Sequence, residues 1–230
     1  MNINNKNFES WNEEMARKYN PEKYHKSSNF IIRFIENKRV VEIIDFLDPQ
    51  KSDKIIELGC GAGDIMKSIK HAQELWGIDL SDFMLGLARQ KGYKVPVKFI
   101  KANIEEFSKK IIDSKFDKIY CSEVLEHVEN PNIVLKQIKK IAKKDSIIVI
   151  SIPNEKLINK IKMILQKLRL FTLFFPNISK KMDDEWHLHS FDLSKLKEIV
   201  NQDYIIEKIK GIPYGFLPLR YVVRLRIKND

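Results

Sequence analysis

The sequence predicts an α/β fold, a mostly parallel sheet with helices on both faces. Three observations predict it. From residue 54 onward short β-type runs alternate with helical ones, as parallel strands joined by right-handed crossovers require. Residues 147–152 (IIVISI) are nearly continuously apolar, as a strand covered on both faces must be. The first strand also runs into a glycine-rich turn that opens a helix.

The elements follow in order. Residues 8–47 read as helical, with Trp11, Met15 and Tyr19 four apart and Pro21 interrupting. A second helix is expected from about 29 to 47, with Phe30, Ile31, Phe34, Ile35, Val41, Ile44 and Phe46 as its apolar positions, ended by Asp48-Pro49. Strands are then expected at 54–58, 75–78, 97–100, 116–121 and 147–152. Helices are expected between them at 64–71, 83–90, near 104–107 and at 131–142. After Pro153 come a long basic and apolar segment (155–182), a helix at 193–200, and two closing strands at 204–209 and 221–227. In the last of these Val223, Leu225 and Ile227 alternate with Arg224, Arg226 and Lys228. No internal repeat and no low-complexity linker divides the chain. It therefore reads as a single domain over 1–230: N-terminal helices 1–50, a core 51–153, an insertion 154–192 and a closing unit 193–230.

The 230 residues suffice for one buried α/β core, and 43% hydrophobic content excludes a disordered chain. The formal charge is +10, from 41 Lys+Arg against 31 Asp+Glu. Such an excess suits an anionic partner or is compositional bias, and the location of the charge decides between them. Two cysteines, Cys60 and Cys121, make no disulfide framework and no CxxC pair, which points to a reducing interior. Met1–Asn7 lacks the apolar core of a signal peptide. No stretch reaches the roughly 18–20 uncharged apolar residues of a spanning helix. The expectation is a cytoplasmic protein that at most rests on the inner face of a membrane.

The sharpest signal is Ile55-Ile56-Glu57-Leu58-Gly59-Cys60-Gly61-Ala62-Gly63-Asp64. Glycine lets the backbone turn tightly and a ligand approach closely, and the helix start offers free N–H groups and a positive dipole end. A dinucleotide site would space its glycines G-x-G-x-x-G; here they fall at 59, 61 and 63. Asp79 closes the second strand twenty positions after Gly59, where an acid can accept hydrogen bonds from both hydroxyls of a ribose.

These residues resemble the motifs of class I S-adenosylmethionine-dependent methyltransferases. Their first motif is similar to Glu57-x-Gly59-x-Gly61-x-Gly63 and their second to Asp79, with Leu80 following. Their third is matched by Asn103 with Ile104, and their fourth by Phe116-Asp117-Lys118-Ile119-Tyr120-Cys121-Ser122-Glu123-Val124-Leu125-Glu126-His127-Val128. The resemblance covers about residues 52–153. It implies a Rossmann-like sheet of seven strands, S-adenosylmethionine as cofactor, and helices before the first motif that close over it, with Trp11, Tyr19, Tyr24 and Arg33 as lid candidates. It implies that Glu57 helps hold the methionine amino group, that Asn103 and Ile104 lie at the adenine, and that backbone carbonyls around Cys121 and Ser122 face the cofactor. Cys121 itself reads as buried packing. Asn103 is equally readable as a turn or N-cap residue.

After the fourth strand, at the carboxyl edge where open α/β sheets bind ligands, comes Ser122-Glu123-Val124-Leu125-Glu126-His127. An imidazole of ordinary pKa, about 6.5, can take the proton of a phenol or alcohol, so His127 is the candidate base. The run is similar to that of quinone-pathway O-methyltransferases, a branch in which the counterparts of Glu123, Glu126 and His127 are implicated in binding a divalent metal. Two carboxylates and an imidazole would suit Mg²⁺ or Zn²⁺. The alternative is that Glu126 and His127 cap and position the loop. A second cluster is Trp186-His187-Leu188-His189, in which His187 and His189 share a side if extended. A similar segment in related enzymes borders the substrate pocket, which makes Trp186, His187 and His189 candidate acceptor contacts.

Residues 156–175 read KLINKIKMILQKLRLFTLFF, with Leu157, Ile161, Ile164, Leu168, Phe171 and Phe175 on one helical face. Lys156, Lys160, Lys162, Lys167 and Arg169, then Lys180 and Lys181, carry positive charge. Such a helix suits an anionic membrane interface or a lid whose lysines are simply solvated. A comparable insertion in the quinone-type relatives is associated with membranes and shapes the entrance for apolar substrates, which adds Phe171 to the acceptor contacts. The expected function is O-methylation of a small apolar or lipid-linked acceptor at a membrane surface, with no specific nucleic acid. The alternatives are methylation of RNA or protein, or a noncatalytic cofactor-binding or membrane-surface scaffold. Against RNA or protein, no RNA-binding module or Asn-Pro-Pro-Tyr-like motif is present in the sequence.

Overall fold

A computed structural model of the chain describes residues 5–19, 30–111, 114–171 and 186–228. Tyr24, Phe175, Lys180 and Lys181 lie outside the described residues. In chain order the elements are α1 (Asn5–Lys18), α2 (Phe30–Leu47), β1 (Lys54–Leu58), α3 (Asp64–Ser68), β2 (Glu74–Asp79), α4 (Asp82–Arg89) and β3 (Val97–Lys101). A short 3₁₀ turn (Phe107–Lys109) leads to β4 (Phe116–Ser122), α5 (Pro131–Ile141), β5 (Ala142–Pro153), α6 (Glu155–Lys167), α7 (Leu193–Val200), β6 (Tyr204–Tyr214) and β7 (Leu217–Ile227).

The seven strands form one sheet in the order β3-β2-β1-β4-β5-β7-β6. The five core strands pair in parallel and β7 joins β5 antiparallel. This is the Rossmann-like arrangement the alternation predicts. Crossovers run outward from β1 in one direction and from β4 in the other, so a crevice opens between their carboxyl ends. Both faces of the sheet are covered. Ile56, Leu58, Ile119, Cys121, Ile148 and Ile150 pack on α5 and α7, and Ile55, Tyr120, Ile147 and Val149 pack on α2 and α3.

The helices start where their caps dictate. Ser81 Oγ accepts the Met84 amide at 3.1 Å to open α4, Asn130 with Pro131 behind it opens α5, and Asp192 accepts the Lys195 amide to open α7. α6, β6, β7 and α2 are among the elements that depart from the sequence expectation. α6 ends at Lys167 because Arg169 takes a left-handed φ of 57°. The expected stripe is therefore broken: Ile164 and Leu168 are exposed, whereas Phe171 folds back and is buried. β6 and β7 are longer than expected and meet in a hairpin at Tyr214 and Leu217, the prolines inside it absorbed where the register shifts between Ile212 and Pro213. On α2 the buried face carries Ile32, Ile43, Phe46 and Leu47, while Phe30, Ile31 and Val41 are exposed. No helix among the described residues is long and apolar enough to cross a membrane.

Candidate active site

The turn after β1 is built by glycine backbone. Gly59, Gly61 and Gly63 have φ of 71°, 50° and 76°, and the amides of Gly59 and Cys60 both donate to the Ile78 carbonyl at 2.8 Å. A Cβ on Gly59 would stand 2.5 Å from Val124 Cγ2, whereas one on Gly61 would meet nothing within 4 Å. Gly61 thus borders open space where a ligand can approach the backbone. Gly63 does not line that space. Its missing side chain admits the Tyr93 hydroxyl, 2.3 Å from where a Cβ would stand, so this glycine serves packing rather than contact.

A cavity of about 280 Å³ lies at the crevice. Glu57, Gly59, Gly61, Asp79 and Leu80 line it from β1 and β2, Asn103 and Ile104 from the loop after β3, and Ser122, Glu123 and His127 from the β4 loop. Phe8, Asn12, Ala16 and Tyr19 of the α1 segment close it, together with Trp186. Asp79 accepts the Gly61 amide at 2.7 Å and the Ser81 amide at 2.9 Å. Burial raises its carboxyl above the usual range, and those amides oppose the rise. Glu57 accepts the Tyr120 hydroxyl at 2.9 Å, and burial pushes it well above the carboxylate range. Asn103 Oδ1 accepts the Glu105 amide at 2.9 Å, shaping the turn while lining the cavity. Cys121 is fully buried, and burial raises its thiol well above the usual value.

The side of the cavity that His127 lines is organised by the segment after α6. The amides of Leu188 and His189 donate to the Glu126 carbonyl at 2.8 and 3.2 Å, which lays Trp186 and His187 against His127. Trp186 stacks on Tyr19 at 5.7 Å and lies 4.8 Å from the His127 ring. His127 Nδ1 is 3.1 Å from the Trp186 carbonyl, an acceptor that keeps the proton on Nδ1 and leaves Nε2 as the basic nitrogen. His187 packs edge-on to His127 at 4.8 Å and bonds Glu155 through Nδ1 at 2.8 Å. The segment is bent rather than extended, so His189 diverges to the Glu129 carbonyl. Of the expected acceptor contacts only Trp186 lines the cavity; His187, His189 and Phe171 do not.

The expected metal set also changes. Glu123, at a left-handed φ of 53°, pairs with Arg220 at 2.7 Å and accepts from Ser151 at 3.2 Å. Arg220 from β7 holds that carboxylate away. The group whose ligand atoms lie within 4.8 Å of one another is Glu126, His127 and His187. Glu126 is buried, its Oε2 has no hydrogen-bond partner among the described residues, and burial, followed by the Glu123 charge, raises its carboxyl well above the usual range.

A family model described as a methyltransferase domain matches residues 49–190. The chain belongs to the class I S-adenosylmethionine-dependent methyltransferases. Among curated proteins, a ubiquinone biosynthesis O-methyltransferase from Glaesserella parasuis is 32% identical over 129 residues, covering 54% of this chain and 55% of that protein. The mitochondrial one from Saccharomyces cerevisiae is 31% identical over 93 residues, covering 39% and 30%. The first of these matches thus spans about half the relative's length, and the yeast match spans less. Among solved structures, the magnesium protoporphyrin IX methyltransferase of Synechocystis with bound SAH superposes with a TM-score of 0.65, at 14% identity over 96% of this chain and 100% of that one. The plantazolicin methyltransferase BpumL with SAH gives 0.64 at 19% identity, covering 98% of this chain and 97% of that one.

Besides Phe8, Asn12 and Ala16 of the α1 segment, the cavity of this family member contains a cationic residue that sequence reasoning missed. Arg39 of α2 lines it, donates to Ser122 Oγ and is paired with Glu36. The signal was present: Ile32, Glu36, Arg39 and Ile43 fall on one helical face, so a charged pair interrupts the stripe that packs on the sheet. Of the expected lid residues Tyr19 lines the cavity, whereas Trp11 and Arg33 do not.

Proposed function

We propose that the protein transfers the methyl group of S-adenosylmethionine to a hydroxyl of a small apolar or lipid-linked acceptor at an anionic membrane surface. The observation that carries the reading is the cavity itself, with Glu57 and Asp79 on one side and a tautomer-fixed His127 on the other. The residues fit the cofactor. Asp79 offers its carboxylate to the ribose hydroxyls, Glu57 to the methionine ammonium, and the Arg39 guanidinium to the methionine carboxylate. Leu80 and Ile104 offer apolar surface to the adenine. When bound, S-adenosylmethionine supplies a sulfonium-activated methyl and leaves as S-adenosylhomocysteine. Trp186 and Tyr19 would shield the acceptor side from water, and His127 Nε2 would take the proton of the acceptor hydroxyl. Oxygen as the acceptor atom follows the O-methyltransferase names of the relatives.

The unpartnered Glu126 oxygen supports a second reading of the same histidine. Glu126, His127 and His187 would hold a divalent cation, with Glu155 orienting His187 from behind. The ion would supply a Lewis acid that lowers the pKa of an acceptor hydroxyl.

Calorimetric titration with S-adenosylmethionine, S-adenosylhomocysteine and NAD tests the cofactor, with binding of the first two and none of NAD expected. Turnover on phenolic acceptors then tests the base. His127→Ala is expected to slow turnover by about 10²-fold or more while cofactor affinity is kept, and wild-type turnover would remove the role. Zn²⁺ or Mg²⁺ is expected to raise the melting temperature of the wild type and not of Glu126→Gln. Equal shifts in both would end the metal reading.

A further inference from the structure

At the carboxyl edge of the sheet, three elements turn large apolar side chains outward. At the tip of the β6–β7 hairpin, Tyr214 and Phe216 stack with ring centroids 5.3 Å apart and planes 3° from parallel. Phe216 is 86% exposed. The start of α2 abuts this tip: Phe34 lies 6.2 Å from Tyr214, the Lys38 ammonium sits 4.4 Å over the same ring, and Phe30 is 72% exposed. On the other side α6 begins against β7, with the Asn154 amide donating to the Leu219 carbonyl and its side chain to the Pro218 carbonyl. α6 exposes Met163, Ile164 and Leu168.

The charge around these side chains is mostly positive. Residues 30–35, 156–171 and 210–221 contain no aspartate or glutamate, yet carry Arg33, Lys160, Lys167, Arg169 and Lys210 among their cations, and the nearby Glu36 is taken up by Arg39 and Arg220. Isolated rings and aliphatic tips in mostly cationic surroundings match a phospholipid interface, where apolar groups dip below the headgroups and lysines meet the phosphates. A two-fold contact between copies would set the same cations against each other. A nucleic acid would leave Phe30, Met163 and Leu168 in water.

We infer that the hairpin tip and the first turn of α2 form a second wedge, beside α6, that seats the protein on an anionic bilayer with the cavity mouth at the surface. This deepens the proposed function and rests on its reading of where the acceptor is drawn from. The wedge joins segments remote in sequence, so no helical pattern of the insertion contains it.

The test is cosedimentation of the full chain with vesicles of phosphatidylcholine alone and of phosphatidylcholine with phosphatidylglycerol. The Phe30→Ser/Phe216→Ser and Lys160→Gln/Lys167→Gln variants run in parallel. The wild type is expected to pellet with the anionic vesicles, and the serine variant to lose about tenfold or more in partition coefficient with unchanged cofactor affinity by calorimetry. A serine variant that pellets like the wild type overturns the wedge even if the glutamine variant releases. Failure of the wild type to pellet overturns it too, as does a wild-type dimer in sedimentation velocity that the serine substitutions dissolve. Turnover on a water-soluble catechol without vesicles separates the two proposals. Turnover without vesicle binding removes the wedge and keeps methyl transfer, whereas vesicle binding without turnover on any acceptor does the reverse.

Discussion

At the scale of single residues the cavity is poised by buried carboxylates, Glu57 and Asp79, that form no salt bridge among the described residues. Glu57 is 3% exposed with a neutral phenol as its hydrogen-bond partner, and its carboxyl is pushed well above the ordinary range by burial. Between its ordinary and its folded pKa the native state holds a proton that the unfolded chain has lost. Stability without cofactor therefore falls as pH rises through that window, and Glu57→Gln should flatten its share of the slope. An ammonium group beside Glu57 favours the ionised form, so cofactor binding expels the proton and affinity should rise with pH through the same window. Calorimetry in buffers of different ionisation enthalpy reads this release directly. Proton release equal in the wild type and Glu57→Gln would show that Glu57 does not meet the methionine ammonium.

At the scale of elements, the β1–α3 turn works through close approach. Gly59 combines a left-handed φ of 71° with Val124 standing where a side chain would go. Gly59→Ala should therefore cost about 2 kcal/mol or more, lowering the melting temperature by about 4–8 °C. A thermal denaturation scan checks it, and an unchanged midpoint would mean that the β4 loop yields freely. The α1 lid is attached more lightly. Glu13 accepts from Ser81 Oγ at 2.5 Å, and Glu9 meets Lys101 at 2.7 Å on the surface. Surface pairs contribute little to folding. Glu9→Ala/Glu13→Ala should thus leave the melting midpoint nearly unchanged while speeding S-adenosylhomocysteine release by about several-fold in stopped-flow displacement. An unaltered release rate would mean that these contacts do not latch the lid.

At the scale of the whole molecule, the acceptor side draws on parts far apart in the chain. Trp186 and His187 reach His127 because the β4 loop carbonyl of Glu126 binds the segment after α6. Arg220 reaches Glu123 because β7 returns antiparallel beside β5. Arg220→Ala should release Glu123 toward Glu126, two like carboxylates in a site of low polarity, and so disfavour the ionised form of both. The expected outcome is a variant that loses stability relative to wild type as pH rises above the ordinary carboxylate range and regains it on acidification. It is read by melting temperature against pH. Coincident profiles would show that Glu123 stays where Ser151 holds it.

The sheet, the turn and the place of Asp79 were determined by the sequence itself, because each rests on short-range pattern: apolar runs of strand length, glycines at 59, 61 and 63, and an acid at the end of the next strand. Cavity-lining positions for Glu57, Gly59, Gly61, Asp79, Leu80, Asn103, Ile104, Ser122 and His127 were legible for the same reason, since each sits at a strand end or in the loop that follows. Only tertiary structure decided the rest. It set His187 beside Glu126 and His127, left Gly63, His187, His189 and Phe171 off the cavity lining, and brought Arg39 into it. It also gathered the apolar ends of α2, α6 and the hairpin along one edge. Local periodicity states which way a side chain points from its own backbone. What it meets depends on where a distant strand returns and where a helix stops.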